Sequence, residues 1–256
     1  MDHIMHLAHM TWRDVDAKLA TPCCIMVPVG STEQHGPMGY IGTDTICAEA
    51  VALQAAAGCN AIVAPPLAYT PAPFNTGFPG TISVSEETFQ ALATEVFQGL
   101  LDQGFAGIYV VNGHGANLAP LQQIKAALPK GRLSISSWWD PEPVQTLRRA
   151  LFGDWEGMHA TPSEISITQT LLGSLPAQDA TDPPEQLSRA FIEAHKGDKH
   201  GPPDEHRARF PDGRVGSHSA LASPEKGKDL LAAAATALRH DFETFERGFG
   251  PSAKAP

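Results

Sequence analysis

Short runs of β-branched or apolar residues, each bounded by turn residues, occur at Cys24–Val29, Asn60–Ala64, Gly107–Val111 and Leu133–Ser137. Each is short enough to be a strand buried on both faces. Between them, Thr43–Ala57 and Ser85–Gln103 carry apolar residues at mixed three- and four-residue spacings, and Asn117–Leu128 follows a glycine-rich turn. These stretches predict helices. The alternation predicts an α/β fold in which helices flank a mostly parallel sheet. Ligands of such sheets bind beyond the carboxyl ends of strands, which directs attention to the residues after Val29 and Val111.

The pattern changes from Pro176 to Gly216, where charges are many, large apolar residues few, and the pairs Pro183-Pro184 and Pro202-Pro203 break any periodicity. This predicts an irregular charged arm on a single domain spanning 1–256, with His195, His200, His206 and His218 solvated. The chain closes with a predicted helix: Ser223 suits the N-cap, Pro224 the first helical position, and Leu230–Phe245 is rich in Ala and Leu. His3, His6 and His9 have helical spacing but belong to a terminus expected to fray.

Composition narrows the function. The 256 residues are 42% apolar, enough for a sizeable core, which excludes disorder. A formal net charge of −10 with no basic patch argues against nucleic acid and anionic membrane surfaces as partners, and favours small molecules. The four cysteines, Cys23, Cys24, Cys47 and Cys59, form no CxxC and read as reduced thiols. With no signal-peptide pattern at the start and no apolar run long enough to span a bilayer, the expectation is a cytoplasmic protein.

Three polar clusters could carry chemistry. In the first, Gly30-Ser-Thr-Glu33-Gln-His35-Gly-Pro, an extended chain would point Glu33 and His35 the same way, and the Gly36-Pro37 turn could return Asp44 to meet them. Imidazole with carboxylates suits Zn²⁺ or Mn²⁺. The alternative is a capping box, Ser31-x-x-Gln34, that would make Glu33 a first-turn helix residue. In the second cluster, Asn112-Gly-His114-Gly-Ala-Asn117, small neighbours leave room around a histidine displayed at a strand end, and the two asparagines can lock the turn. A turn in which His114 only caps a helix is the alternative. In the third, His159 lies just before a helix and Glu164 just inside it, so both could face one pocket. Thr161, Pro162 and Glu164 also make a capping box without any functional role. No GxSxG, GxxxxGK[ST] or GxGxxG occurs, so a nucleophilic serine or a nucleotide fold is unsupported.

In this order the clusters resemble the creatininase (creatinine amidohydrolase) family. The matching stretches are Pro28-Val-Gly-Ser-Thr-Glu33-Gln-His35-Gly-Pro, Thr43-Asp44-Thr45, Phe78-Pro-Gly-Thr-Ile-Ser83, Val111-Asn-Gly-His114-Gly, His159-Ala with Glu164, and Ala222-Ser-Pro-Glu-Lys-Gly227. The resemblance implies a three-layer αβα sandwich, a homo-oligomer (a hexamer), and two divalent ions, Zn and/or Mn, with Fe also admissible. The implied reaction is hydrolysis of a non-peptide C–N bond in a small, often cyclic amide such as creatinine. By position, Glu33 and His114 would bind one ion, His35 the other, and Asp44 would bridge them. His159 would be the acid/base, and Gly115, Asn117, Trp139 and Trp155 would stand at the substrate pocket, ordinary core or interface packing being the alternative for the two tryptophans.

Departures from the family pattern qualify this. Creatininase proper has a tyrosine and a glutamate ligand where this chain has Gly115 and Ala116, so one carboxylate is missing, and Glu164 or a water is expected to replace it. Asn75 stands where relatives often have histidine. These changes leave open a formamide deformylase or peptide-trimming hydrolase on the same scaffold, and a non-catalytic subunit in which metal serves only folding.

Overall fold

The sheet of the computed structural model, which describes residues 5–59, 61–177 and 180–249, is five-stranded and parallel throughout. Its strands are β1 (Met5–His6), β2 (Cys24–Val29), β3 (Ile62–Val63), β4 (Gly107–Asn112) and β5 (Leu133–Ser137), in the order β1-β3-β2-β4-β5. His3 and Asn60 lie outside the described residues. Parallel pairing and long helical crossovers follow from the alternation along the chain.

Both sheet faces are covered, which is why the inner strands β3, β2 and β4 are almost unbroken apolar runs. From Met26, Val63, Tyr109 and Val111, side chains enter one layer with α2 (Thr43–Ala57), α5 (Glu142–Phe152), α6 (Pro162–Leu172) and α9 (Pro224–Arg247). Their strand neighbours Ile25, Val27, Ile108 and Val110 point the opposite way, toward α3 (Glu86–Asp102) and α4 (Leu118–Ala127), with Val15 and Leu19 of α1 (Trp12–Leu19) at the margin. This two-residue alternation makes the three-layer αβα sandwich. Each fully buried Val, Ile or Phe contributes about 1.5–3 kcal/mol of transfer free energy.

Helix starts match their sequence signals. Thr161 accepts from the Glu164 N–H while Glu164 accepts from the Thr161 N–H, and Ser85 and Ser223 cap α3 and α9. Each such cap is worth about 1 kcal/mol. β2 and β4 are central neighbours in flush register, Val29 opposite Asn112, so the loops after both strands open at the same place. Cys23, Cys24, Cys47 and Cys59 are free thiols.

Two expectations are corrected. His6 does not fray: it lies in β1, paired to β3, with Nε2 3.3 Å from Glu49 Oε1. The arm is not wholly irregular either. Among its described residues it forms two short helices, α7 (Arg189–Ala194) and α8 (Pro203–Arg209), and it buries His206 and partly buries His195, His200 and His218 instead of leaving them solvated. His200 packs against Phe74, His195 and His206 at ring-centroid distances of 4.7, 5.4 and 4.8 Å. Imidazole is apolar enough on its faces to pack this way once its charge is given up.

Candidate metal centre

The chain leaves β2 extended, as the first reading of that cluster requires, and does not form the Ser31–Gln34 helix start. Thr32 pairs with Ile82, the Glu33 N–H donates to the Ile41 carbonyl, and Gly36 turns the chain with φ +65°. Glu33 and His35 are buried at this strand end. Asp44 reaches them from the first turn of α2, whose close approach to β4 needs glycine at position 113: a Cβ there would lie 2.3 Å from the Asp44 carbonyl oxygen. His114 follows immediately. Asn112 and Asn117 lock its turn, Asn112 Nδ2 donating to the His114 carbonyl at 2.9 Å and Asn117 Nδ2 to the Gly30 carbonyl at 2.9 Å.

Hydrogen bonds fix which imidazole nitrogen faces the centre. His114 Nε2 donates to the Pro71 carbonyl at 2.8 Å, leaving Nδ1 3.1 Å from Glu33 Oε1 and 3.0 Å from Asp44 Oδ2. His35 Nδ1 faces the Glu33 carbonyl at 3.1 Å, and its Nε2 lies 2.9 Å from Asp44 Oδ1. Both rings therefore confront acceptors at both nitrogens. A neutral imidazole has one lone pair and would be repelled on one side, so each ring needs either a second proton or a cation in the gap.

The electrostatics agree. Burial opposes charge on His35, but Asp44, Glu164 and Glu33 outweigh it and raise its pKa to about 10. His114 is likewise raised well above the usual range against its burial, by Glu33 and Asp44. Asp44 is held well below the carboxylate range by the two imidazoles despite burial. Glu33 Oε1 is buried and, apart from the facing His114 Nδ1, has no hydrogen-bonding partner among the described residues. Such an atom is costly unless a cation satisfies it.

The donor set thus fits metal ions. Ligand atoms of Glu33, Asp44 and His114 form one group that could hold an ion, those of His35, Asp44 and Glu164 a second sharing Asp44, and those of Glu33, His35 and His159 a third. Glu164 Oε1 lies 3.9 Å from His35 Nε2 while also accepting from the Thr161 N–H, so its capping and metal-facing readings are compatible. Burial raises its pKa to about 7, against the pull of His35.

His159 lies beside these groups, its ring 4.4 Å from that of His35. It is positioned by antiparallel pairing with Val215 and by a Nε2–H donated to the Gln34 carbonyl at 2.7 Å. Nδ1 is then an acceptor, 3.8 Å from Glu33 Oε1. Burial, with the positive His35, lowers its pKa to about 4, so the ring is neutral. The next residue, Ala160, turns the chain with φ +56°, a conformation that costs a non-glycine residue about 1 kcal/mol or more.

Asp44, His114, His159 and Glu164 floor a cavity of about 330 Å³ whose walls include Gly115, Leu118, Trp138, Trp139 and Met158. Two residues expected on its wall lie elsewhere. Asn117 is buried, bracing the strand end, and Trp155 packs edge-on against His218 at 5.6 Å. Three site residues escaped the sequence reading. Trp138 was hidden behind its neighbour Trp139. Asn75, noted only as a departure, donates Nδ2 to Glu33 Oε2 at 2.9 Å. Asp198 reaches in from the arm, its Oδ2 3.7 Å from His114 Nδ1. Burial raises the Asp198 pKa to about 6, with His114 pulling it back and Glu33 and Asp44 adding to the rise. No local pattern marked it among the arm's many charges.

The chain belongs to the creatininase family: the family model for creatinine amidohydrolase matches residues 8–241. It is 30% identical to 3-dehydro-scyllo-inosose hydrolase of Thermotoga maritima, over 96% of this chain and 86% of that one. With creatinine amidohydrolase of Pseudomonas putida it is 26% identical over 94% and 99%. A shorter match, 41% identical, joins 41% of this chain to 44% of the mycofactocin precursor peptide peptidase of Mycolicibacterium smegmatis. Solved creatinine amidohydrolase superposes with a TM-score of 0.73 at 24% identity, covering 97% of this chain and 99% of that one. Its manganese form gives 0.72 at 23% identity over 97% and 100%, so the fold is shared.

Proposed function

We propose that this chain is a metal-dependent hydrolase that cleaves a non-peptide C–N bond in a small, cyclic or formylated amide. The observation that carries the reading is the pair of buried imidazoles, His35 and His114, each facing acceptors at both nitrogens with Asp44 between them. Glu33, Asp44 and His114 would hold one divalent cation, and His35, Asp44 and Glu164 a second. Zinc or manganese ions bound there would supply Lewis acidity and a water activated near neutral pH. His159, kept neutral, would take up at Nδ1 the proton that the attacking water gives up as it bonds to the carbonyl carbon, and deliver it to the nitrogen as the C–N bond breaks. Trp138, Trp139 and Leu118 exclude bulk water, and a cavity of about 330 Å³ suits a small substrate.

The test is elemental analysis of purified protein, followed by a screen of creatinine, other cyclic amides and formamides for metal-dependent release of amine or ammonia. Two equivalents of Zn or Mn per chain and turnover of one class are expected; absence of bound metal would overturn the reading. A second reading rests on the Thermotoga relative, matched along nearly its whole length. It predicts metal-dependent hydrolysis of 3-dehydro-scyllo-inosose, with no nitrogenous product. The homo-oligomer implied by the family is a further part of the proposal, checked by light scattering.

A further inference from the structure

The residues that depart most from the family pattern are Gly115 and Ala116, and the structure places one foreign side chain against them. Asp198, from the arm between α7 and α8, lies over Gly115. A Cβ at position 115 would sit 2.2 Å from Asp198 Oδ2 and 3.0 Å from its Cγ. Any larger side chain there would occupy the space the carboxylate uses. The carboxylate lines the cavity on the His114 side, with Oδ2 3.7 Å from His114 Nδ1. Two bonds of about 2.1 Å to one cation put ligand atoms roughly 3–3.5 Å apart, so Asp198, which stands just outside the Glu33–Asp44–His114 group, needs only a small inward shift to share an ion with His114.

The arm is built for this approach. Gly197 and Asp198 both have positive φ, +74° and +55°, which folds the chain sharply inward. Asp198 is non-glycine, so the turn is strained and something must hold it. His200, two residues on, supplies the anchor: its ring packs 4.7 Å from Phe74 and its Nε2 lies 3.9 Å from Asp198 Oδ1. Phe74 adjoins Asn75, which holds Glu33. The docked arm and the Glu33 side of the centre are therefore one packed unit. A further carboxylate near Glu33 and Asp44 is repelled by both; the Ala116 N–H and His114 favour its charge, and a cation beside it would favour it further.

We propose that Asp198 is a cation-serving carboxylate delivered by the arm, so that docking of the arm on Gly115 and metal binding at the Glu33–Asp44–His114 group are one linked event. The inference rests on the metal-centre reading above. Linkage is reciprocal: if the docked arm strengthens metal binding, metal must equally favour the docked arm.

The test uses the full chain, stripped of metal and titrated with Mn²⁺ or Zn²⁺ against a chelator, with amide hydrogen exchange of residues 189–200 followed in parallel. The expected result is that metal slows exchange of the arm in the parent. Asp198→Asn should weaken one of the two metal sites about 10–100-fold, the range seen when groups supporting a metal site are removed, and abolish the metal-dependent slowing. Gly115→Ala, which keeps every charge and only displaces the carboxylate, should do the same in milder form, while Lys199→Ala on the exposed side of the arm should match the parent. Parent affinity in both Asp198→Asn and Gly115→Ala, or arm exchange indifferent to metal, would overturn the inference. A parent that binds neither ion overturns the metal-centre reading instead. If Asp198→Asn fails to fold, Gly115→Ala decides alone.

Discussion

Asp44 is shared by the two groups proposed to hold a divalent cation, Glu33–Asp44–His114 and His35–Asp44–Glu164, and replacing it with asparagine separates a shared centre from two independent ones. Its oxygens lie 2.9 Å from His35 Nε2 and 3.0 Å from His114 Nδ1, and Oδ2 accepts from Ser31 Oγ at 2.7 Å. At an effective dielectric constant of about 20, each charge pair at this separation is worth about 5–6 kcal/mol before desolvation. Desolvation takes back several kcal/mol per buried ion, and removing one partner of a buried pair costs about 3–5 kcal/mol net. For a chain of this size that lowers the melting temperature of the metal-free protein by roughly 6–20 °C. Metal sharpens the contrast. An ion at a hundred times its dissociation constant stabilises by about 2.7 kcal/mol, so two ions add about 5 kcal/mol to the parent. In Asp44→Asn both sites lose a ligand, and that gain should vanish. The assay is differential scanning fluorimetry with and without Mn²⁺ or Zn²⁺, paired with metal analysis after dialysis. A variant that retains two ions per chain and the parent's full metal-dependent rise would refute the shared role of Asp44.

Glu164→Gln should lose one ion and keep the other, because Glu164 touches only the His35 side; an unchanged stoichiometry of two would remove it from the metal's contacts. His159→Gln should fold, keep its metal and lose about 10²–10⁴-fold in kcat on whichever amide the screen identifies, and equal turnover would remove the acid/base assignment. His206 is buried, its Nε2 unpaired, with its pKa lowered to about 4 by desolvation, partly offset by Glu33. A histidine pushed down in the folded state contributes full stability above its unfolded pKa of about 6.5 and loses it as pH falls toward 4, so urea unfolding of the metal-free parent should weaken by about 1–3 kcal/mol across that window. His206→Gln should flatten this slope, and an unchanged slope would count against the neutral buried imidazole.

Much of this architecture was legible because the sheet is covered on both faces. β2 announces itself as an uninterrupted apolar run at Cys24–Val29, and α2 at Thr43–Ala57 keeps the bounds its spacing implied. α1 and α5 were not legible: their faces are largely polar, with few buried residues among them. Within the site, Glu33, His35, Asp44 and His114 could be read because they lie in short stretches at the carboxyl ends of two neighbouring strands, where local order and spatial order coincide. Asp198 could not. It arrives through a strained turn in a segment whose charge density resembles any solvated loop, and only the packing of His200 against Phe74 gives it a fixed address. Trp155 misled for the converse reason: a bulky aromatic near His159 in sequence packs against His218 away from the cavity.

Charge balance ties the arm to the number of ions. Glu33, Asp44, Glu164 and Asp198 bring four carboxylates to the neighbourhood of His35 and His114. With both imidazoles protonated and no metal, the centre carries two uncompensated negative charges. Burial, only partly offset by His35 and His114 and reinforced by the neighbouring carboxylates, makes Glu164, raised to about 7, and Asp198, raised to about 6, the carboxyls that resist ionisation. One divalent cation displacing one proton still leaves a deficit. Two divalent cations in place of the two ring protons bring the four carboxylates and two neutral imidazoles to zero, with every group ionised as its hydrogen bonds require. Two ions and a docked arm are thus one state in which this set of side chains balances its charge with every carboxylate ionised, so protection of the arm should rise with occupancy of the Glu33–Asp44–His114 group beside Asp198 and not with that of the His35 side.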